Sequence, residues 1–229
     1  MKNFNSILAV GAVAAVCGAA EAAIIASWSI PNAIPPSTTG TSFIYGAADG
    51  GDATAGTSLS GYHALSATAW QSPNGNGSTY SLMSNNWSVG DYYQVALSTA
   101  NYSGISLSWD QTRSSTGPSS FRVDMSTDGS NFTTILASYS VIQAGLSGTG
   151  TLSWSVTNGV QTAFTTTIAN ISGASNQGTI VFRFVNLSSV ASGGTNRIDN
   201  ISISGTLIPA PGAAALIGLA GLVTSRRRK

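Results

Sequence analysis

Hydrophobic and polar residues alternate with a period of two along most of the chain between its two ends. Such alternation is typical of β-strands that turn one face to a core and the other to solvent. No stretch of the body longer than one or two turns has helical periodicity. The pattern therefore predicts a protein built from strands. The alternating segments are residues 64–70, 92–97, 105–109, 121–125, 180–185 and 198–203.

Turn-forming pairs separate the predicted strands. Asn-Gly, Asp-Gly and Gly-Pro pairs favour turns because glycine accepts a positive φ and proline fixes φ. Asp128-Gly129 lies between two segments that contain phenylalanine, and it predicts a hairpin. About ten strands at this spacing, with no internal repeat, predict an all-β fold. We expect residues 23–206 to form an antiparallel β-sandwich of the jelly-roll type.

The first segment of the chain, residues 1–22, has the pattern of a secretory signal peptide. Lys2 supplies the positive start, residues 7–16 are apolar, and Ala20-Glu21-Ala22 is a small-residue cleavage pattern, with cleavage expected after Ala22. Removal of this segment also removes Cys17, the single cysteine, so no disulfide can form in the mature protein. Its stability must then come from a buried core.

Residues 207–229 contain a proline pair, an uncharged apolar stretch and a basic cluster, in that order. Pro209 and Pro211 lack backbone donors and fix φ, so they separate the body from the apolar stretch. The apolar stretch 212–223 predicts a hydrophobic helix. A helix of this length spans about 18 Å, which is short for a hydrocarbon core of about 30 Å, so a plain membrane anchor is the weaker interpretation. The basic cluster, expected on the cytoplasmic side, consists of Arg226, Arg227, Arg228 and Lys229.

This order of features resembles the PEP-CTERM sorting signal of bacterial surface proteins. Ala210 stands where that family has a glutamate between the two prolines. The resemblance implies that signal peptidase and the secretion machinery export the chain, and that an exosortase-type membrane protease then reads and removes the tail. It also implies transient membrane insertion of the C-terminal helix. The final location would be the cell envelope, the cell surface or the extracellular matrix, in a family associated with exopolysaccharide.

Segments 102–109, 121–132 and 197–205 resemble the β-sandwich bodies that often accompany this tail. Related segments occur in jelly-roll carbohydrate-binding modules and in lamin-tail-like surface modules. This second resemblance implies a fold more than an activity.

The composition of the body limits its chemistry. Seven aspartates and four arginines give residues 23–208 a net charge of −3, so no basic patch is available for nucleic acid. His63 is the single histidine, and no nucleophile elbow or phosphate loop is present. No two aspartates stand out as the carboxylate pair that glycoside hydrolysis requires. We therefore expect a protein that is not an enzyme and that has no cofactor.

Asp49 and Asp52 are weak candidates for a calcium site. They flank two glycines on one loop, and carboxylate oxygens are ligands that Ca²⁺ prefers. The loop lacks the ligand density of an EF-hand. A glycine-rich loop made soluble by aspartate is the favoured interpretation, and calcium is the one ion left to test.

Trp87 and Tyr92 are the candidates for a carbohydrate site, because aromatic side chains offer a flat apolar face together with a polar end. Trp87 lies between Asn86 and Ser88 in a polar segment, which predicts an exposed ring. Tyr92 and Tyr93 point to opposite faces of one strand, so one of the two is expected to face outward.

Together these features predict an exported surface- or matrix-associated protein with a structural or adhesive role linked to extracellular polysaccharide. The alternative is a lectin-like carbohydrate-binding module, and an enzyme ranks third. Exposed aromatics in a row on one sheet face would favour the lectin-like module. A cleft with two facing aspartates would favour the enzyme.

We expect the mature protein, recovered from the cell surface or the medium, to begin at Ala23 and to lack the basic C-terminus. Mass spectrometry of the intact protein would locate both ends. A mature protein that still carries Arg226, Arg227 and Arg228 would contradict the sorting signal and would indicate an anchor.

Overall fold

The computed structural model describes residues 21–145, 152–190 and 192–209. Within these ranges, Ala22–Leu207 forms one compact unit with thirteen strands and a short 3₁₀ turn at Thr162–Phe164. None of the helical structure in the described ranges is long and apolar enough to cross a membrane. Most of the predicted signal peptide lies outside the described residues. So do residues 210–229 of the predicted sorting signal, which include Ala210, Pro211, Arg226, Arg227 and Arg228.

The strands are numbered in chain order. They are β1 (Ala22–Trp28), β2 (Thr38–Thr39), β3 (Ser42–Gly46), β4 (Ser58–Tyr62), β5 (Ala69–Gln71), β6 (Leu82–Ser84), β7 (Tyr92–Leu97), β8 (Tyr102–Arg113), β9 (Ser120–Ser126), β10 (Thr133–Ser140), β11 (Thr165–Ile168), β12 (Ile180–Asn186) and β13 (Asn196–Leu207).

The seven-stranded sheet is organised around the pairing of β8 with β13. Its order is β11-β8-β13-β6-β5-β2, and β1 also pairs with β13. Residues 196–198 of β13 pair with β6, and residues 201–206 pair with β1, so two shorter strands share one long neighbour. The register of β8 against β13 shifts between Asp199 and Ser202, which is the mark of a β-bulge.

The six-stranded sheet has the order β10-β9-β12-β7-β4-β3. All its strand pairs are antiparallel, as are those of the other sheet. The two sheets enclose one core, so the fold is an all-β antiparallel sandwich, as predicted. The largest fully buried side chains include Trp28, Trp70, Tyr93, Trp109, Phe121, Phe182 and Phe184.

The period-two alternation locates most of the long strands correctly. Segment 92–97 coincides with β7, and the predictions within β8, β9, β12 and β13 are confirmed with longer bounds. The hairpin at Asp128-Gly129 is also confirmed, because β9 and β10 pair across it and Gly129 has a φ of 76°. The Asp128 carboxylate accepts the backbone N–H groups of Ser130 and Asn131, which closes the turn.

The predicted strand at 64–70 is wrong for most of its length. Only Ala69–Gln71 is extended, and the residues before it form a turn. The Thr68 hydroxyl and backbone N–H both donate to the Leu65 carbonyl oxygen. Local hydrogen bonding by threonine competes with sheet pairing, and here it prevails because Leu65 is exposed and contributes nothing to the core.

Gly61 leaves the space that the Trp70 ring occupies. It lies in β4, directly paired with Tyr93 of β7, and an added Cβ would lie 2.4 Å from Trp70 Cη2 and 2.5 Å from Cζ3. Trp70 has no exposed surface, and its indole N–H donates to the Gly40 carbonyl oxygen at 2.9 Å. Glycine inside a strand is typical of such a close approach.

We expect Gly61→Val to lower the free energy of unfolding by about 1–3 kcal/mol, because a held tryptophan ring cannot make room for the added carbons. Urea unfolding of the purified protein measures the change. Gly178→Val is the matched control, because an added Cβ there meets nothing within 4 Å. Equal stability losses at the two positions would contradict this account of Gly61.

Candidate functional site

Four side chains form a continuous stack on the outer face of the six-stranded sheet. The ring centroids of Tyr62 and Tyr92 are 5.6 Å apart, with 26° between the ring planes. The guanidinium carbon of Arg183 lies 4.3 Å from the Tyr92 centroid and 3.7 Å from the Phe132 centroid. Tyr62 and Tyr92 are directly paired residues of β4 and β7, and Arg183 lies on the next strand, β12. We call these four residues the aromatic ridge.

The aromatic ridge is held in place by its own contacts. A cation between two aromatic faces is attracted to both, and Arg183 Nε also donates to Gln94 Oε1 at 2.8 Å. Val181 and Val185 share the outward register of β12 but are only 6% and 3% exposed, so this part of the face is covered. Tyr62 ends the ridge and remains 46% exposed.

A surface depression of about 200 Å³ lies beside Tyr62 and Tyr92, above β3, β4 and β7. The residues that line it include Ser42, Ser60 and Gln94. Gln94 Oε1 accepts from Arg183, which leaves the amide NH₂ able to donate. Ring faces combined with a few polar groups are typical of small-ligand sites. We call this feature the ridge depression.

Of the two aromatic candidates, only Tyr92 belongs to this face. Tyr93 is fully buried and Tyr92 is partly exposed, which confirms the expected alternation. The expectation that Trp87 is exposed is wrong, because its ring is 3% exposed and packs edge-on against Tyr93 and Phe121. Its polar neighbours lie in a turn, with Asn86 at a φ of 52°. Their polarity suits this turn conformation and does not indicate that the Trp87 ring is exposed.

The calcium candidates have other partners. Both Asp49 oxygens accept the Ser29 backbone N–H, at 3.0 and 2.9 Å, and one also accepts the Ile30 N–H. Asp52 Oδ2 accepts the Tyr102 hydroxyl at 3.2 Å. Within the described ranges, no group of three or more His, Cys, Asp or Glu side chains is placed to hold a metal. Pro209, from the predicted sorting signal, lies exposed beyond β13.

His63 belongs to a buried set of hydrogen-bonded groups. Its Nδ1 lies 3.2 Å from Asp91 Oδ2, and its Nε2 lies 3.1 Å from Ser84 Oγ. This is the Asp-His-Ser order of a hydrolase triad. Ser84 and His63 have no exposed surface, and Ser84 Oγ also lies 3.1 Å from the Tyr93 hydroxyl. Because a nucleophile must reach its substrate, this arrangement belongs to the core.

Burial raises the pKa of Asp91, but hydrogen bonds from His63, Ser88 and Ala64 outweigh it, so the pKa lies below its usual range. Asp91 is therefore ionised at neutral pH. It joins the segment after β4 to the start of β7.

Asp110 and Asp199 are a second buried carboxylate pair, placed opposite each other on β8 and β13. They are 2% and 0% exposed. Asn76, from the loop between β5 and β6, bridges the two: its backbone N–H donates to Asp199 Oδ2 and its side-chain amide donates to Asp110 Oδ2, each at 2.8 Å. The carboxylates thus hold a loop against the outer face of the seven-stranded sheet, instead of lining a cleft as glycoside hydrolysis would require.

Burial raises the pKa of Asp199 to about 7, and the negative charge of Asp110 adds to the effect. Hydrogen bonds from Ser78, Asn76 and Asn200 to the carboxylate oppose the rise without cancelling it. Asp199 therefore changes protonation near neutral pH while it remains enclosed.

No protein-family model matches the chain, and no match is found among curated proteins. Among solved structures, the chain is similar to a structure described as "CBM4 structure and function", with 11% identity over 72% of this chain and 86% of the other and a TM-score of 0.36. It is also similar to the CBM22-1 xylan-binding domain from Paenibacillus barcinonensis, with 9% identity, 84% and 100% coverage and a TM-score of 0.39. A cleaved adhesin domain of Lys-gingipain from Porphyromonas gingivalis has 15% identity, 79% and 97% coverage and a TM-score of 0.43. With TM-scores below 0.5, these similarities support no functional assignment.

Replacement of Asp199 by asparagine should remove a pH-dependent loss of stability. A carboxyl whose folded pKa of about 7 exceeds its unfolded value of 3.8 stabilises the fold at low pH, and this contribution is lost as the pH rises through 7. Between about pH 4 and about pH 8, the variant should therefore gain stability relative to the wild type, by about 2–4 kcal/mol.

Urea unfolding at a series of pH values measures this difference. Asp52→Asn is the control, because Asp52 is exposed and the chemical change is the same. A stability difference between wild type and the Asp199 variant that does not vary with pH would contradict the raised pKa.

Proposed function

We propose that this protein binds carbohydrate at the cell surface or in the extracellular matrix, with the sugar seated in the ridge depression against Tyr62. The observation that carries the proposal is an exposed tyrosine ring, supported from behind by a second ring, beside a depression with polar side chains. This is the lectin-like alternative of the sequence interpretation. It includes the adhesive role, because adhesion would act through this face.

A sugar ring presents two kinds of surface, and the ridge depression has residues that suit each of them. Its C–H faces are apolar and suit an aromatic ring, while its hydroxyls need donors and acceptors. The exposed part of Tyr62 offers the first, and the polar residues Ser42, Ser60 and Gln94 offer the second. A depression of about 200 Å³ is open and small, which suits one or two sugar units of a longer chain better than an enclosed ligand.

The burial of three carboxylates favours a protein that binds carbohydrate without hydrolysing it. Asp110, Asp199 and Asp91 are at most 2% exposed, so none of them can approach a glycosidic bond from its present position. Asp124, on β9 of the six-stranded sheet, is 6% exposed and paired with Arg122 at 2.9 Å.

The proposed location of the protein rests on the two signals predicted at the ends of the chain. We propose export by the signal peptide, processing of the tail at the Pro209-Ala210-Pro211 motif by an exosortase-type protease, and retention at the surface or in the matrix. The ligand would then be a polysaccharide of that same envelope or matrix. We also propose the jelly-roll type as the finer description of the sandwich.

Tyr62→Ala should weaken polysaccharide binding by about tenfold, equivalent to about 1.4 kcal/mol, because the exposed ring is lost. Tyr62→Phe should bind nearly as well as the wild type, because it keeps the ring. Affinity electrophoresis against a panel of soluble polysaccharides, including the one produced by the same cells, gives the dissociation constants.

Tyr102→Ala is the matched control, because Tyr102 lies on β8 in the other sheet and contacts Asp52. Equal binding by the Tyr62→Ala variant and the wild type would reject the ridge depression as the site. Absence of wild-type binding across the whole panel would reject the function itself.

A further inference from the structure

A second cavity, of about 260 Å³, lies at one end of the β8–β13 strand pair. This cavity lies at the seven-stranded sheet, whereas the aromatic ridge lies on the six-stranded sheet. It shares no residue with the ridge depression. Two arginines and one tryptophan line it, together with small hydroxyl side chains. These are Arg113, Arg197, Trp154, Thr112, Ser114, Thr195 and Ser153. We call it the arginine cavity.

Arg113 is fixed in the wall of the arginine cavity by three backbone carbonyl oxygens. Its Nε donates to Val141 at 3.0 Å, and its Nη1 donates to Ser114 and Ser115, each at 3.1 Å. Carbonyl oxygens orient a guanidinium but carry no net charge. The full positive charge of Arg113 therefore remains beside the cavity.

The backbone of Arg197 is paired in the sheet, but its guanidinium donates no hydrogen bond to any residue of the described ranges. The ion pairs within 4.0 Å in those ranges are His63–Asp91 and Arg122–Asp124, so neither arginine of the cavity has a carboxylate partner there. Burial lowers the pKa of Arg197, but a guanidinium remains charged at neutral pH. A largely buried charge without a partner is costly, and an anion in the cavity would remove that cost.

Trp154 supplies an independent observation that also indicates a ligand. The residue is 6% exposed, and its indole Nε1 is a buried donor without any hydrogen-bond partner in the part of the chain that the structure describes. Its ring packs edge-on against Phe164 at 5.9 Å between centroids, so the indole is held in place. Buried donors are normally satisfied, and an indole N–H can only donate. A ligand that pairs with this N–H, in the cavity that Trp154 lines, therefore has to present an acceptor.

We propose that the arginine cavity binds an oxyanion, such as the carboxylate or the sulfate ester of an acidic sugar, held by Arg197, Arg113 and the Trp154 indole N–H. All three offer donors, and two carry positive charge, so an anion with several acceptor oxygens is the complementary ligand. The proposal is independent of the carbohydrate site, because none of its three groups belongs to the aromatic ridge.

The test is a titration of the purified protein with sodium glucuronate and with a sulfated monosaccharide, followed by the indole N–H signal of Trp154 in NMR spectra. The two ligands distinguish a carboxylate from a sulfate ester as the source of the oxyanion. Glucose and sodium chloride at matched ionic strength are the ligand controls, and Trp154→Phe assigns the signal. We expect at least one anion to shift the Trp154 signal saturably, and we expect glucose and chloride to leave it in place.

Arg197→Gln should weaken anion binding by about tenfold to a hundredfold, the usual range for loss of a charged hydrogen-bond partner. Arg122→Gln removes the same charge from the other sheet and should leave anion binding unchanged. Without anion, Arg197→Gln should melt at the same temperature as the wild type or higher, because an uncompensated buried charge has been removed. Added anion should raise the melting temperature of the wild type more than that of this variant.

Each of the following outcomes would overturn the proposal. The first is a Trp154 signal that neither anion moves. The second is a shift of equal size in Arg197→Gln, or one that chloride reproduces. The third is a lower melting temperature for Arg197→Gln without anion, which would mean that Arg197 stabilises the fold. Tyr62→Ala should not alter the Trp154 titration, so failure of the carbohydrate site and failure of the anion site can be told apart.

Discussion

The antiparallel pairing of β8 with β13 is the interaction on which the rest of the structure depends. Each strand has twelve residues, and together they provide the edges to which β11, β6 and β1 attach. Their inward side chains, among them Trp109 and Ile203, fill the core. Their outward side chains include the buried pair Asp110 and Asp199, and one end of the strand pair forms the wall of the arginine cavity. One ladder of backbone hydrogen bonds thus fixes the positions of both charged clusters on this side of the protein.

Charged residues have different surroundings on the two outer faces of the sandwich. On the seven-stranded sheet, loops cover charged residues, and those charges need partners inside the protein or from a ligand. On the six-stranded sheet, the charge of Arg183 lies between two rings and stays partly exposed, so the ring faces and solvent both contact it. The triad-like set at His63 lies between these faces and connects polar groups inside the core. Ser84 in this set has no exposed surface, unlike the substrate-accessible nucleophile of a hydrolase triad.

The sequence predicts the strands well where period two is a local property, as in β7, β9 and β12. It fails at residues 64–70, where a threonine side chain bonds to the preceding turn, and at Trp87, whose burial depends on rings from β7 and β9. The aromatic ridge could be predicted only in part, at Tyr92, because Tyr62, Phe132 and Arg183 come together through strand order and register. The arginine cavity joins residues that are far apart in the chain for the same reason. No short stretch of residues determines which distant strands become neighbours in a sheet.

The contact between Gly61 and Trp70 has a consequence for recognition on the opposite side of the same strand. Tyr62 comes directly after Gly61, so the tyrosine stands on backbone whose inner face rests on a buried, hydrogen-bonded indole. For the proposed ligand, that backbone has little conformational freedom to lose on binding, and the same holds for the Tyr62 ring, which is already stacked on Tyr92. Most of the conformational entropy that an exposed aromatic side chain usually loses on binding is here already lost during folding. A glycine with no side chain of its own thereby makes the neighbouring tyrosine a rigid contact surface.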